Sequence, residues 1–391
     1  MVKCASLFSQ LLSLFDRHGF AAAVREFKAE KAAKGFTCWE QLVAMLFCQL
    51  AQARSIREIE AGLRSCEGRL QHLGVKEAPK RSTLAYANAH RPWQLYERVF
   101  YTLLGRVQAG APRKKFRFKN KLLSLDATVV DLCASMFDWA RFRATKGALK
   151  LHLLLDHDGC LPVYACVSEG AQHEINVAWE LSLPKGAIVV VDRGYVDYCL
   201  FHKWSEEGVF YVTREKKLNA VDIVREHREV PVHGTVLRDE IIEHQSYVNG
   251  NTLRQKLRRV VVWLEDKQQE LVLLTNHFEL AASTIAAIYR DRWQIELFFK
   301  ALKQQLRVKT FIGTSANAVQ IQIWTALISM LLLKQLQFCS RLNWALSNLV
   351  ALLRWNLFTY RDLWTWIDAP FDTPPQSYGT AQLDFFLDST A

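Results

Sequence analysis

Tyr289, Arg292, Glu296 and Lys303 follow a Tyr-x2-Arg-x3-Glu-x6-Lys spacing. On a helix that spacing gathers the four side chains within an arc of about 60°. Lys300 falls close to the same stripe. Ile288, Ile295, Phe298, Phe299, Leu302 and Leu306 cluster to one side of it, as a face packed on a core does. The pattern therefore predicts a helix over 285–306 that carries an acid, a phenol and several cations along the rim of a buried surface. Such a ridge suits metal and phosphate chemistry. The plainer reading is a solvated face laced by i,i+4 pairs, Arg292 with Glu296 and Glu296 with Lys300. Two aspartates upstream tip the balance.

Asp126 sits in Leu-Asp-Ala-Thr, inside an apolar strand predicted over 122–130. A carboxylate there is costly to bury without a partner. Asp192 sits in Val-Val-Asp-Arg-Gly-Tyr, at the carboxyl end of a strand predicted over 187–191, with Gly194 supplying a sharp turn. Ligand sites in open α/β sheets gather at such strand ends. Singly, Asp126 reads as a satisfied core acid and Asp192 as a turn former. Together with Glu296 they make an oxygen-rich set of the kind hard divalent cations prefer. Two such ions serve phosphoryl transfer by activating a nucleophile and stabilising a leaving oxygen.

The two aspartate motifs and the Tyr289, Arg292, Glu296, Lys303 stripe resemble the DDE transposases of bacterial insertion sequences, in the group named for its Tyr-Arg-Glu-Lys signature. The resemblance runs over most of the chain. It implies an α/β fold: a ribonuclease-H-like catalytic core with a β-rich insertion before the last catalytic helix, an N-terminal helical domain and C-terminal helices. It implies that Asp126, Asp192 and Glu296 are catalytic and hold two Mg²⁺ ions, with Mn²⁺ able to substitute. Tyr289, Arg292 and Lys303 would bind DNA phosphates. The implied activity is cleavage at the terminal inverted repeats of an insertion sequence and strand transfer to target DNA, through a hairpin intermediate. The implied partners are double-stranded DNA and a second copy of the chain.

The rest of the chain fits a DNA-acting enzyme. Its 391 residues are half hydrophobic, and 50 Lys and Arg against 39 Asp and Glu give a charge of +11, which favours a polyanionic partner. Nine cysteines with no C-x-x-C pair argue against a zinc ribbon and for a reducing compartment. The most apolar run, 323–333, is too short to span a bilayer, and a cytoplasmic protein with no membrane partner is expected, nucleoid-associated when bound to DNA.

Five segments are expected: a helical DNA-binding domain at 1–110, the first part of the core at 111–213, the β-rich insertion at 214–280, the catalytic helix at 281–310 and a helical region with a tail at 311–391. In the first, helices are predicted over 38–53, 55–63 and 84–90, with Ser82 as a cap and Lys80 and Arg81 making a basic entry. Two short helices with such an entry resemble a DNA-reading arrangement, against a plain bundle with a basic rim. Lys114 and Lys115 lie in a basic linker, and Arg141 and Arg143 in an excursion after the first strand with Trp139; all are candidate DNA contacts. In the insertion, strands are predicted over 221–224, 230–232, 257–264 and 270–274. Glu174, after His173, reads as structural, His157 as a turn residue, and Asp291 as a charge pointing off the ridge. Two other functions compete: a transposase-derived DNA-binding protein that moves no DNA, and a ribonuclease-H-like nuclease that cuts without joining.

Overall fold

Ten strands hydrogen-bond into one sheet: β1 (Leu122–Leu132), β2 (Arg141–Arg143), β3 (Lys146–Asp156), β4 (Leu161–Glu169), β5 (Ile188–Val190), β6 (Phe210–Arg214), β7 (Val221–His227), β8 (Val236–Val248), β9 (Asn251–Leu264) and β10 (Gln269–Thr275). The computed structural model describes residues 5–375 apart from 32, 34, 67, 113–115, 133–140, 144–145, 171–172, 217–220, 231–233, 249–250 and 307–310. The chain divides into two compact units, Pro112–Lys300 with the sheet, and Met1–Ala111 with Ala301–Ala391.

In the sheet unit the path runs β3, β1, β5, β6, β10, β9, β8, β7, with β4 and the short β2 also paired to β3. β1 is antiparallel to β3, and β3 to β4; β5 and β6 run parallel to β1. The turn at 157–160 closes the β3–β4 hairpin, with His157 in the turn as expected, and helices Glu174–Glu180 and Tyr198–Glu206 follow in the chain.

Alternation along β1 decides what faces what. Leu123 and Leu125 enter a core with Ala178, Leu200, Phe201 and Trp204. Leu122, of the opposite parity, enters a second core with Ile188, Val190, Ile285, Ile288 and Tyr289. Ser124 and Asp126 share Leu122's parity, so they point to the side on which helix Ala282–Asp291 packs. Asp192 continues the parity of Ile188 and Val190 and leaves β5 toward that side too.

The β-rich stretch continues this sheet: β10 pairs antiparallel with β6, then β9, β8 and β7 follow. Strand β8 is absent from the sequence reading, because Arg238, Asp239, Glu240, Glu243 and His244 hide its strand character. Their charges are matched across strands: Arg258 on β9 pairs with Asp239, and Arg259 with Glu240. The run expected at 230–232, with Pro231, lies largely outside the described residues.

In the other unit, helix Ala316–Cys339 is buried among Cys38–Leu50, Arg81–His90 and Gln94–Ala109. It exceeds the apolar run seen in the sequence: its 24 residues are long and apolar enough to cross a membrane by composition alone, with 83% of its most apolar window buried inside the protein. Helix Cys38–Leu50 ends earlier than predicted, and Ser55 caps Ile56–Arg64 as predicted. Ser82 does not cap its helix. Lys80 holds that place with extended backbone, no side-chain hydrogen bond closes the end, and Ser82 lies in the first turn.

Candidate active site

The expected 285–306 helix forms as two, Ala282–Asp291 and Trp293–Gln305. Arg292 stands at the junction with helical dihedrals (φ −50°, ψ −30°). Around it the backbone bonds tighten to i→i−3: Arg292 N–H donates to Tyr289 O at 3.2 Å and Ile295 N–H to Arg292 O at 3.1 Å. The direction is kept while the pitch changes.

Arg292 bridges two of the predicted acids. Its Nη1 lies 3.5 Å from Asp126 Oδ2, and its Nη2 donates to Glu296 Oε1. The guanidinium also lies 5.9 Å from the centre of the Tyr289 ring. Asp126 Oδ1 accepts from Ala127 N–H at 2.8 Å, which fixes the carboxylate at the strand. Asp192 caps the short turn Arg193–Tyr195, its Oδ1 accepting from Gly194 N–H at 2.7 Å. Gly194 is needed there for room more than for its turn: a Cβ at 194 would stand 2.9 Å from Asp192 Oδ1.

The electrostatics tie these groups into one site. Burial pushes the Asp126 carboxyl up to about 7; the Ala127 N–H and Arg292 oppose the rise, while Asp192 and Glu174 add to it. Burial also raises the Tyr289 phenol, against the pull of Arg292 and Arg214. Arg292 is itself raised: burial works against its charge, and Tyr289, Glu296 and Asp126 outweigh it. Negative charge is thus incompletely compensated at Asp126.

Three further groups act on this site. Tyr195 is wholly buried, its hydroxyl has no hydrogen-bond partner among the described residues, and burial followed by Asp126, Glu174 and Asp192 raises its ionisation far above the usual phenol range. Glu174 opens its helix within electrostatic reach of Asp126 and pairs with Lys150 Nζ at 3.3 Å. Arg214, at the end of β6, acts on Tyr289. The acid next to His173 was a visible signal for the second; nothing in the sequence flagged the other two.

A divalent ion fits the donor chemistry, since Asp126, Asp192 and Glu296 offer only carboxylate oxygens and the carboxylate at Asp126 lacks full compensation. Among the described residues no three His, Cys, Asp or Glu are already arranged as metal ligands, and Arg292 is what links Asp126 to Glu296.

Of the other candidates, Lys300 is exposed, and Lys303 lies in the last turn of helix Trp293–Gln305, within the other compact unit. Lys80, Arg81 and Ser82 are exposed, with Arg81 paired to Glu60 at 3.2 Å. Arg81 and Ser82 line a cleft of about 630 Å³ with Arg54, Arg57 and Phe311. Arg141 and Arg143 form β2. Lys114, Lys115 and Trp139 lie outside the described residues.

The sheet unit is thus a mixed α/β fold in which Arg292 joins two acids distant in sequence. Residues 117–332 match the model of the transposase DDE domain, and the chain belongs to that family of enzymes acting on DNA. Residues 3–76 match a domain of unknown function (DUF4372). The chain is 29% identical over 301 residues to y4zB of Sinorhizobium fredii (strain NBRC 101917 / NGR234), named as a transposase, covering 76% of this chain and 82% of that one. It is 26% identical over 258 residues to the probable transposase of insertion sequence element IS5377 from Geobacillus stearothermophilus, covering 65% and 67%. Among solved structures it is similar to the piggyBac transposase synaptic complex with hairpin DNA, at a TM-score of 0.40 and 11% identity, covering 90% of this chain and 79% of that one. The family implies use of divalent metal, typically Mg²⁺.

Proposed function

We propose that the chain is the transposase of an insertion sequence, of the Tyr-Arg-Glu-Lys group, which binds its element's terminal inverted repeats, cuts there and joins the freed ends to target DNA. One observation carries the reading: Asp126, Asp192 and Glu296, remote in sequence, belong to one compact unit, where Arg292 bridges two of them and the third acts electrostatically on the first. The order β4-β3-β1-β5-β6, with three antiparallel strands followed by two parallel to the first, supports a ribonuclease-H-like core.

Asp126, Asp192 and Glu296 would hold two Mg²⁺ ions, which supply Lewis-acid stabilisation of charge on the phosphoryl oxygens and ease attack by the nucleophile. The chain's own cations hold the DNA. Arg292 offers a planar fork for a phosphate, Tyr289 one hydroxyl, and Lys303 a point charge. Arg292 engages Asp126 and Glu296, so a phosphate and the two carboxylates compete for it. The cleft with Arg54, Arg57, Arg81 and Ser82 is a second DNA-backbone surface. Two ends are held together by two copies of the chain, paired through helices after Leu306, and the route passes through a hairpin on the transposon end.

The test is incubation with Mg²⁺ and a duplex carrying the element's own terminal repeats, then with a pre-cut end that bears a free 3′-hydroxyl. Cutting at the repeat followed by joining of the pre-cut end is expected. Cutting without joining would favour the nuclease reading, and binding without cutting the transposase-derived binder.

A further inference from the structure

Asp291 precedes Arg292, and the structure explains where its charge goes. Its Oδ2 lies 2.9 Å from His157 Nδ1, and His157 Nε2 lies 2.7 Å from Ser124 Oγ. All three side chains are nearly or wholly buried. A carboxylate only accepts, so His157 carries its proton on Nδ1, and the bare Nε2 accepts from the Ser124 hydroxyl. The order of groups is that of a serine nucleophile's triad, but Ser124 is 0% exposed and no substrate reaches it.

The three residues come from the three elements that must be held in register. Ser124 lies on β1 two residues before Asp126 and on the same face. His157 lies in the β3–β4 turn, and its N–H donates to Leu122 O at 3.1 Å, which seats the ring against β1. Asp291 ends helix Ala282–Asp291 immediately before Arg292. A second tie runs from the same turn to the next helix, where Cys160 Sγ lies 3.9 Å from Gln294 Oε1. Lys121 Nζ, 3.0 Å from Asp156 Oδ2, anchors the turn at its start.

We propose that His157 is a positioning residue for DNA cleavage: it locks the strand bearing Asp126 to the helix junction bearing Arg292. Without the ring, β1 and the β3–β4 turn lose their side-chain link to the residue that precedes Arg292, and Ser124 and Asp291 each lose a buried partner. This rests on the transposase reading above.

The test compares His157→Ala, Asp291→Asn and Ser124→Ala in single-turnover cutting of the terminal-repeat duplex, with duplex affinity and melting temperature measured in parallel. His157→Ala is expected to slow cutting about 100-fold, the cost of a misplacement near 1 Å, with duplex affinity unchanged. Asp291→Asn, whose amide oxygen still accepts from Nδ1, should cut at close to the wild-type rate. If His157→Ala fails to fold, Ser124→Ala decides, with an expected slowing of about tenfold. A wild-type rate in folded His157→Ala, or in Ser124→Ala in that case, overturns the proposal. Histidine-selective ¹⁵N NMR gives a readout independent of cutting: His157 should show the Nδ1–H tautomer and lose it in Asp291→Ala. An Nε2–H tautomer overturns the clamp. If the wild type cuts no repeat, the transposase reading fails, while the tautomer still decides whether the clamp exists.

Discussion

At β8 and β9 the sheet buries Arg258 to 2% exposure and surrounds it with acceptors: Asp239 Oδ1 and Oδ2, both at 2.8 Å, and the carbonyls of His277 and Leu280 at 3.2 and 2.6 Å. At β1 the same sheet holds Asp126 half-buried, with one backbone N–H and a 3.5 Å approach from an arginine that Glu296 also holds. The first charge is neutralised within the fold. The second is left short of compensation: burial, with Asp192 and Glu174 adding to it, pushes its carboxyl up to about 7. Matched buried charge fixes strand register; unmatched buried charge is a standing affinity for a cation.

The largest effect that sharpens this contrast is at the matched end. Arg258→Ala leaves Asp239 buried without its partner and should destabilise the protein by about 3–5 kcal/mol, read by urea unfolding. Replacing both partners, Arg258→Met with Asp239→Leu, should recover most of that loss. A single variant costing no more than the double would show that the pair is not the matched unit described.

At the unmatched end, Gly194→Ala would set a Cβ 2.9 Å from Asp192 Oδ1 and force the carboxylate to swing away. Cutting should fall roughly 10- to 100-fold while stability moves by less than about 1 kcal/mol. Wild-type cutting by the alanine variant would mean that the orientation of Asp192 is not needed.

The smallest effect is the pH signature. The folded Asp126 pKa lies above its unfolded value of 3.8, so its cost is absent below the unfolded pKa and fully present above about 7. In metal-free protein, Asp126→Asn should therefore stabilise the fold at about pH 8, on the order of 1 kcal/mol, and by less at about pH 5. A stabilisation that grows toward acid pH would reverse the sign and refute the uncompensated charge.

Much of the site was legible because its residues sit in regular elements. The helix spacing put Tyr289, Arg292 and Glu296 on one ridge, and the structure joins Arg292 to both of the others. The apolar runs placed β1 and β5, and so put Asp126 on one strand and Asp192 just past the end of the other. What stayed hidden depends on partners distant in sequence. β8 reads as a polar stretch until Arg258 and Arg259 are set across from Asp239 and Glu240. The junction at Arg292 comes from i→i−3 bonds that no periodicity announces. The missed cap at Ser82 is a matter of two residues, because Lys80 already has the extended backbone that opens the helix. Tyr195 stood inside a motif quoted for its aspartate, and only the fold turns its hydroxyl toward the acids.

Mg²⁺-dependent cutting of the terminal-repeat duplex by Asp126→Ala, Asp192→Ala and Glu296→Ala, with duplex binding measured on the same samples, tests the shared acid site most directly. Each variant should lose about a thousandfold or more in rate while keeping its hold on the repeats. A folded variant that cuts at the wild-type rate would contradict the assignment of that acid, and with it the convergence of the three on one pair of ions.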